Sequence, residues 1–255
     1  MTRRLICVDV DGTITDGVLG PALPGAAEAL RRVRVAHPVR LVSNATSVAH
    51  RAFAARLLDQ GLLDEPASLV TPAAAARRAL TARGHASGIL LVEAGAREDY
   101  AWFREDPAGA AVVLATEALD LAIRELQPAF RRLLGGAAFY ALQRNRYFRR
   151  GGELLTDLGP VAAFLSYASG REAETVGKPS PLLYDAIAAE AGLRREELVM
   201  VGDDVEFDVS ASVALGMQGV LVRTGKYRPG DEERAAPPPS ATLASIAALP
   251  DWLGL

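Results

Sequence analysis

Short apolar runs that stop at polar residues stand near both ends of the chain. They cover residues 4–10, 39–42, 198–201 and 220–222. Strands that are covered on both faces lose the alternation of apolar and polar side chains, so these runs predict buried strands of a parallel sheet. Two runs lie near the N-terminus and two near the C-terminus, so one sheet is expected to draw on both terminal regions.

Helical spacing of apolar residues fills the intervals between these runs. It predicts helices over residues 25–36, 47–60, 181–191 and 205–215, with Gly61 and Gly192 as C-terminal stops. In the first helix the apolar side chains share one side, namely Ala26, Ala29, Leu30 and Val33. Strands and helices that alternate with short links are typical of right-handed crossovers and a parallel sheet.

The middle of the chain, residues 71–176, has an alternation of its own. It predicts strands over residues 89–92, 111–114 and 138–142, and helices over residues 73–82, 119–134 and 161–169, the second bent at Pro128. About 105 residues suffice for a separate core. We therefore predict an α/β protein: a Rossmann-like, doubly wound parallel sheet core of residues 1–70 and 177–255, with an inserted α/β domain at residues 71–176.

Composition narrows the class of protein. Of the 255 residues, 50% are hydrophobic and 23% are charged, and the net charge is −3, which is typical of a soluble globular protein and lacks the basic excess of nucleic-acid-binding proteins. The apolar runs fall well short of the ~18 residues of a membrane span, and Asp9 interrupts the first one before it reaches the length of a secretory signal. The single Cys7 excludes an internal disulfide framework and a multi-cysteine zinc site. We expect a cytoplasmic location.

Polar side chains follow three of the predicted strands. In chain order they are Asp9 and Asp11, then Ser43 and Asn44, then Asp203, Asp204 and Asp208. Open parallel sheets bind ligands beyond the carboxyl ends of their strands, where the strand order reverses. Carboxylates gathered in such a crevice repel each other unless a cation compensates, and an all-oxygen donor set suits Mg²⁺.

The same residues have the chemistry for phosphoryl transfer. Asp9, on a rigid strand end, is placed as a nucleophile, and Asp11 is placed two residues further on as a general acid and then a base. Ser43 and Asn44 can donate hydrogen bonds to phosphoryl oxygens, and Lys178 supplies a cation for the charge on the transferring group.

Four segments of the chain resemble the four motifs of the haloacid dehalogenase superfamily, in the same order. They are residues 9–13, 43–44, 177–179 and 202–208. The insertion between the second and third motifs resembles the large α/β cap, called C2, of the type IIA subgroup. Residues 176–181, 201–204 and 222–226, and residues 144–148 of the insertion, look like the branch of phospholysine phosphohistidine inorganic pyrophosphate phosphatases.

The resemblance implies a role for each matching residue. Asp9 would be the phosphorylated nucleophile and a Mg²⁺ ligand, Asp11 the acid/base and a ligand through its backbone carbonyl, and Asp203 the third protein ligand. Supporting roles would fall to Asp204 and Asp208, and contacts with the phosphoryl group to Ser43, Asn44 and Lys178. Ser43 stands where the motif often has Thr. Asp11 is present where some members of the branch have Ser, which favours ordinary phosphatase chemistry.

The leading hypothesis is a magnesium-dependent phosphatase that hydrolyses a small phosphorylated metabolite, at a phosphomonoester, P–N or pyrophosphate bond, through an aspartyl-phosphate. A cap that excludes water favours small substrates over folded phosphoproteins, and neither nucleic acid nor a membrane is expected as a partner. The alternatives are a phosphate-sensing module like a response-regulator receiver, a phosphomutase, and a dehalogenase, which would not need the metal ligands.

Two basic segments stay open to different interpretations. Arg144, Arg146 and Tyr147 belong to a segment that is either a solvated turn or a selector of anionic substrates. Lys226 follows a core strand, where we expect solvation at the surface. Caps of this type often pair, so a homodimer through the inserted domain is a further expectation.

Overall fold

A computed structural model describes residues 4–116, 121–150 and 153–255. Its strands are, in chain order, β1 (Leu5–Val8), β2 (Val39–Val42), β3 (Leu69–Val70), β4 (Ser87–Val92), β5 (Arg104–Glu105), β6 (Ala111–Ala115), β7 (Ala138–Ala141), β8 (Tyr147–Arg150), β9 (Glu153–Thr156), β10 (Glu174–Thr175), β11 (Leu198–Gly202), β12 (Gln218–Val222) and β13 (Ala241–Leu243). Its α-helices are α1 (Ala26–Ala36), α2 (His50–Asp59), α3 (Pro72–Ala82), α4 (Gln127–Leu134), α5 (Leu158–Ser169), α6 (Pro181–Glu190), α7 (Ala211–Ala214), α8 (Asp231–Arg234) and α9 (Leu249–Trp252).

The chain divides into two compact units. The core unit comprises Met1–Ser43, Arg51–Val70 and Pro181–Leu255, and the inserted unit comprises Asn44–His50 and Thr71–Ser180. The predicted boundaries put residues 44–50 and 177–180 in the core, whereas the structure groups them with the inserted unit. Hydrogen bonds explain the difference, because the backbone N–H of His50 donates to Asp99 at 2.8 Å and that of Lys178 donates to the Asn44 side chain at 2.9 Å.

The sheet of the core unit confirms the predicted doubly wound arrangement. Its six strands run in the order β13-β12-β11-β1-β2-β3, and every neighbouring pair is parallel. All four residues of β1 are fully buried, as expected of a strand covered on both faces. The strand order reverses between β1 and β11, where Val8 pairs with Val201, so the residues after these two strands emerge side by side.

Two helices of the core unit have features that the sequence predicted: the buried face of α1 and the glycine that follows α2. α1 buries the four side chains that the spacing placed on one face, Ala26, Ala29, Leu30 and Val33. Gly61 follows α2 with φ of 67°, a left-handed conformation that only glycine adopts without strain. The buried face of α1 packs against the core, where the helix contacts β2.

The inserted unit has its own parallel sheet of five strands, in the order β10-β7-β6-β4-β5, with the central strand β6 fully buried. The predicted helix over residues 119–134 was wrong in extent. A 3₁₀ turn over Ile123–Leu126 leads into α4, and Pro128 lies in the first turn of α4, where its missing N–H costs nothing, instead of bending a longer helix. Residues 119–120 of that prediction lie outside the described residues.

An antiparallel hairpin of β8 and β9 lies in and after the segment that the sequence left open as either a solvated turn or a selector of anionic substrates. Tyr147 of β8 pairs with Thr156 of β9, and both Tyr147 and Phe148 are half-buried. Within the parts of the chain that the structure describes, we find no helix with the length and apolar character needed to cross a bilayer.

Candidate active site

Asp9 is the first residue beyond β1, and the backbone on both sides of it is fixed. Its N–H donates to the carbonyl of Val201 on the neighbouring strand at 2.8 Å. The chain then turns sharply, because the carbonyl of Val10 accepts from the N–H groups of Ile14 and Thr15, both at 3.0 Å. The Asp9 side chain is buried, and the Thr13 hydroxyl donates to its Oδ2 at 3.0 Å. The carboxylate is therefore held at a defined position at the strand end.

Three carboxylates meet at this point. One oxygen from each of Asp9, Asp203 and Asp208 lies within 4.8 Å of the other two, and all three side chains are buried. We call these residues the carboxylate cluster. The parallel register of β1 and β11 brings Asp9 beside Asp203, and the turn that follows β11 returns Asp208 to the same place.

A π-helical turn brings Asp208 into the cluster. The predicted helix over residues 205–215 begins instead as a π-helical turn over Val205–Ser210, followed by the short α7. In that turn the N–H of Val209 reaches back five residues to the carbonyl of Asp204, at 3.2 Å. Gly202 makes room, because a Cβ there would lie 2.3 Å from Oδ2 of Asp208. The extra residue of a π turn often marks a functional site, and here it directs a carboxylate inward.

The three carboxylates of the cluster carry like charges at close range. Burial, and then the negative charges of Asp9 and Asp208, raise the pKa of the Asp203 carboxyl well above its usual range, against the opposing hydrogen bond from the Lys226 backbone. Buried carboxylates at this spacing need protons or a cation. Hard divalent cations prefer oxygen donors of this kind, so the cluster fits Mg²⁺, with Asp9, Asp203 and Asp208 as the residues that would hold it.

Asp204 is not part of the carboxylate cluster and makes other contacts. Its carboxylate caps the π-helical turn, accepting from the N–H groups of Glu206 at 3.1 Å and Phe207 at 3.0 Å. The same carboxylate pairs with the Lys226 ammonium at 3.0 Å. The prediction of a solvated Lys226 was therefore wrong. Burial alone would lower the pKa of Lys226, but Asp204, Asp203 and Asp208 outweigh it and the net shift is upward. The sequence carries no signal that locates this pair.

Two further predicted site residues also belong to the core unit. Asp11 is half-buried and its backbone forms a bridge with Thr15 across the turn after β1. Ser43 directly follows β2, is 3% exposed, and donates its N–H to the carbonyl of Val70 at 3.1 Å. The roles predicted for Asp11, in acid/base chemistry and as a ligand through its carbonyl, and for the Ser43 hydroxyl stay predictions.

Asn44 and Lys178 lie together in the inserted unit. The side chain of Asn44 binds the backbone of Lys178 at both ends of its amide: Oδ1 accepts from the Lys178 N–H at 2.9 Å and Nδ2 donates to the Lys178 carbonyl at 3.0 Å. Lys178 itself is 2% exposed. We predicted that the Asn44 amide would bind phosphoryl oxygens. In the structure it fixes the loop that carries Lys178.

A buried polar network that the sequence did not indicate supports the segment of residues 144–148. Gln143 is 2% exposed, accepts from the N–H of Asn145 at 2.5 Å, and donates to the carboxylate of Asp157. Arg144 and Arg146 are exposed on either side of Asn145. The network fixes the backbone between the two arginines. The sequence gives no pattern from which the pairing of Gln143 with Asp157 could be predicted.

Comparisons with known proteins agree with this arrangement. Residues 6–101 match a family model described as haloacid dehalogenase-like hydrolase, and residues 175–249 match one described as HAD-hydrolase-like. These two segments contain Asp9 and Asp11 at one end and Lys178, Asp203 and Asp208 at the other.

Individual proteins match along nearly the whole chain. Haloacid dehalogenase-like hydrolase domain-containing protein 2 of Rattus norvegicus is 36% identical over 247 residues, covering 95% of this chain and 93% of that protein. Phospholysine phosphohistidine inorganic pyrophosphate phosphatase of Bos taurus is 31% identical over 255 residues, covering 98% and 94%. The crystal structure of a 4-nitrophenylphosphatase from Thermotoga maritima superposes with a TM-score of 0.87 and 25% identity, covering 98% of this chain and 97% of that one.

Proposed function

This chain belongs to the haloacid dehalogenase-like hydrolases, and we propose that it is a magnesium-dependent phosphatase that acts on small phosphorylated molecules through a phosphorylated Asp9. The phosphatase class follows from the family and from relatives and structural neighbours that are phosphatases. The observation that carries the finer proposal is the carboxylate cluster at the switch point of the sheet, with Asp11 two residues beyond Asp9.

Asp9 and Asp11 would carry the reaction in two half-reactions. An oxygen of the Asp9 carboxylate attacks phosphorus, and the bond from phosphorus to the leaving group breaks as Asp11 gives that group its proton. Asp11 then takes a proton from water, the water oxygen attacks phosphorus, and the bond to Asp9 breaks to release inorganic phosphate. A bound Mg²⁺ would offset the repulsion between the carboxylates and the phosphoryl oxygens.

The residues predicted to hold the phosphoryl group enter the proposal by their motifs. The Ser43 hydroxyl is assigned to a phosphoryl oxygen and the Lys178 ammonium to the charge on the transferring group. For Asn44 we propose a positioning role instead, supported by its two hydrogen bonds to the Lys178 backbone.

For the substrate we propose a compact molecule rich in anionic oxygens, with a P–N or P–O–P bond or a phosphate ester. The similarity to the phosphatase of phospholysine, phosphohistidine and pyrophosphate supports the first two bond types. The exposed Arg144 and Arg146 support it further, because guanidinium groups recognise phosphate oxygens in a bidentate manner. Neither nucleic acid nor a membrane is proposed as a partner, and pairing of two copies through the inserted unit remains a proposal.

A phosphate-release screen tests the proposed function. Protein stripped with EDTA is assayed with and without added Mg²⁺ on 4-nitrophenyl phosphate, imidodiphosphate, pyrophosphate, phospholysine and sugar phosphates. We expect release only when Mg²⁺ is present, and faster release from the P–N and P–O–P compounds than from the sugar phosphates. Equal rates with and without Mg²⁺ would contradict the metal requirement. Equal rates of phosphate release from all substrates would contradict the substrate proposal. Transfer of phosphate between sugar positions would identify a phosphomutase.

Thermal unfolding gives a test that does not depend on turnover. Because folding raises the pKa of Asp203, its contribution to the free energy of unfolding is present at acid pH and is lost as the pH rises through the raised pKa. At neutral pH, Mg²⁺ at ~100 times its Kd should raise the free energy of unfolding by about 2.7 kcal/mol and the Tm by about 5–10 °C. At pH 5 the same Mg²⁺ concentration should add less to the free energy of unfolding, because protons compete with the metal for the carboxylates.

The matched variant for this measurement is Asp203→Asn. Asparagine retains an oxygen that can accept the N–H of Lys226 but removes one charge from the cluster. The metal-free variant should melt above the metal-free wild-type protein at neutral pH, and Mg²⁺ should shift its Tm by less. A wild-type Tm that does not respond to Mg²⁺ at any pH would contradict the proposed metal site.

A further inference from the structure

The loop of residues 224–226, which follows β12, attaches to both sides of the carboxylate cluster. The Thr224 hydroxyl donates to the carbonyl of Gly12, in the turn after β1, at 2.6 Å. Two residues later the backbone N–H of Lys226 donates to Oδ2 of Asp203 at 2.7 Å. One short loop thus connects the turn that carries Asp9 with the strand end that carries Asp203.

Between these two hydrogen bonds, the Asp203 carboxylate is enclosed by two glycines. A Cβ on Gly12 would lie 2.2 Å from Oδ2 of Asp203, and a Cβ on Gly225 would lie 1.9 Å from the same oxygen. Both residues have positive φ, 84° and 57°, so a side chain at either would be strained as well as blocked. We call this arrangement the glycine slot. Oδ2 is held there, and the other oxygen, Oδ1, accepts from the Thr13 hydroxyl at 3.4 Å.

The Lys226 side chain fixes the loop at a second point. Its ammonium pairs with Asp204, whose carboxylate is in turn held by two N–H groups of the π-helical turn. Lys226 therefore contacts two consecutive aspartates with different atoms: Asp203 with its backbone and Asp204 with its side chain. With both of these groups about four-fifths buried, at 20% and 17% exposure, the pair is shielded from solvent more than a surface ion pair is.

We propose that Lys226 is a positioning residue for the metal ligand Asp203, anchored by Asp204. This inference rests on the proposed function, since it assigns Asp203 to a divalent cation. Groups that orient a metal ligand without touching the metal are typically worth 10–100-fold in metal affinity. The Asp204–Lys226 ion pair would have that role here, because it holds the loop whose N–H fixes one oxygen of Asp203.

The test must separate positioning from simple charge. Removal of Lys226 alone would take a positive charge away from the cation site, which by itself favours Mg²⁺ binding and would mask a lost contact. The double variant Asp204→Asn with Lys226→Met removes the ion pair with no change in net charge, keeps an oxygen to cap the π-helical turn, and keeps the aliphatic stem of the lysine. Lys226→Arg retains the pair and serves as the rescue variant.

Mg²⁺ binding to the EDTA-stripped proteins is measured by calorimetry without substrate. We expect the Kd of the double variant to rise about 10-fold or more, that of Lys226→Arg to stay within about threefold of wild type, and kcat at saturating Mg²⁺ to fall much less than the affinity. A double variant that binds Mg²⁺ as tightly as wild type would overturn the inference and leave the proposed function standing. A wild-type protein that shows no Mg²⁺ binding would overturn both.

Gly225→Ala provides a second arm if the double variant does not fold. Its Cβ would push the loop off Asp203, so the Kd for Mg²⁺ should rise by a similar factor. Gly61→Ala is the matched control, because Gly61 has a similar φ of 67° but nothing within 4 Å of the added carbon. The control carries the backbone strain without the intrusion. Equal Mg²⁺ affinity in the two variants would overturn the inference, because displacing the loop that holds Lys226 against Asp203 would then leave the metal site unchanged.

Discussion

Asp9→Asn is expected to abolish phosphate release, lowering kcat by about 10⁴-fold or more, because an amide cannot replace the carboxylate as the attacking group. The fold should survive the change. Asparagine can still accept the Thr13 hydroxyl, and the Asp9 N–H that bonds Val201 belongs to the backbone. Removal of one negative charge also relieves the repulsion on Asp203, so the metal-free Tm should be unchanged or higher.

The measurement is phosphate release from 4-nitrophenyl phosphate at saturating Mg²⁺, with mass spectrometry of the quenched enzyme to detect a phosphoryl group on the peptide that carries Asp9. Asp16→Asn is the matched control, since Asp16 is an exposed aspartate of the same loop, and its activity should stay within about twofold of wild type. An Asp9→Asn protein that keeps ordinary turnover would refute the mechanism. A wild-type protein that holds the phosphoryl group on Asp9 without releasing phosphate would instead favour the receiver-like hypothesis.

Much of the core unit could be predicted because its signals are local. The run before Asp9 is apolar at every position of β1, as a strand covered on both faces must be, and α1 buries the side chains that helical spacing put together. The meeting of Asp9 and Asp203 was also open to prediction, since parallel strands end at the same edge of a sheet. The structure adds the register, Val8 beside Val201, that makes them neighbours.

The features that the sequence did not predict are decided by tertiary contacts. The hydrogen bonds of a π-helical turn span five residues where those of an α-helix span four, and here a side chain at Gly202 would collide with Asp208. Lys226 has the pattern of a surface lysine, and only the folded chain brings Asp204 within 3.0 Å of it. Asn44 likewise carries no sign that its partner is the backbone of Lys178, a residue 134 positions away.

Asp11→Asn is expected to slow turnover by about 10²–10⁴-fold, and to do so unevenly between substrates. Departure of 4-nitrophenolate needs no proton, so the first step should survive, whereas a sugar phosphate needs an acid and should lose that step as well. Attack by water on the phosphorylated Asp9 needs a base in either case. With 4-nitrophenyl phosphate the variant should therefore release one equivalent of nitrophenolate in a burst and then turn over slowly.

A stopped-flow record of nitrophenolate, compared with steady-state rates on a sugar phosphate, measures both effects in one variant. The bridge between Asp11 and Thr15 is made by backbone atoms, so Asn should preserve the turn after β1 and the Tm should stay close to that of wild type. If the two substrates lost rate equally and no burst appeared, Asp11 would serve only the shape of the turn. A burst with 4-nitrophenyl phosphate, together with a larger loss on the sugar phosphate, would instead place the acid and the base of the two half-reactions on one carboxyl group, which is what separates a phosphatase from a module that merely accepts phosphate.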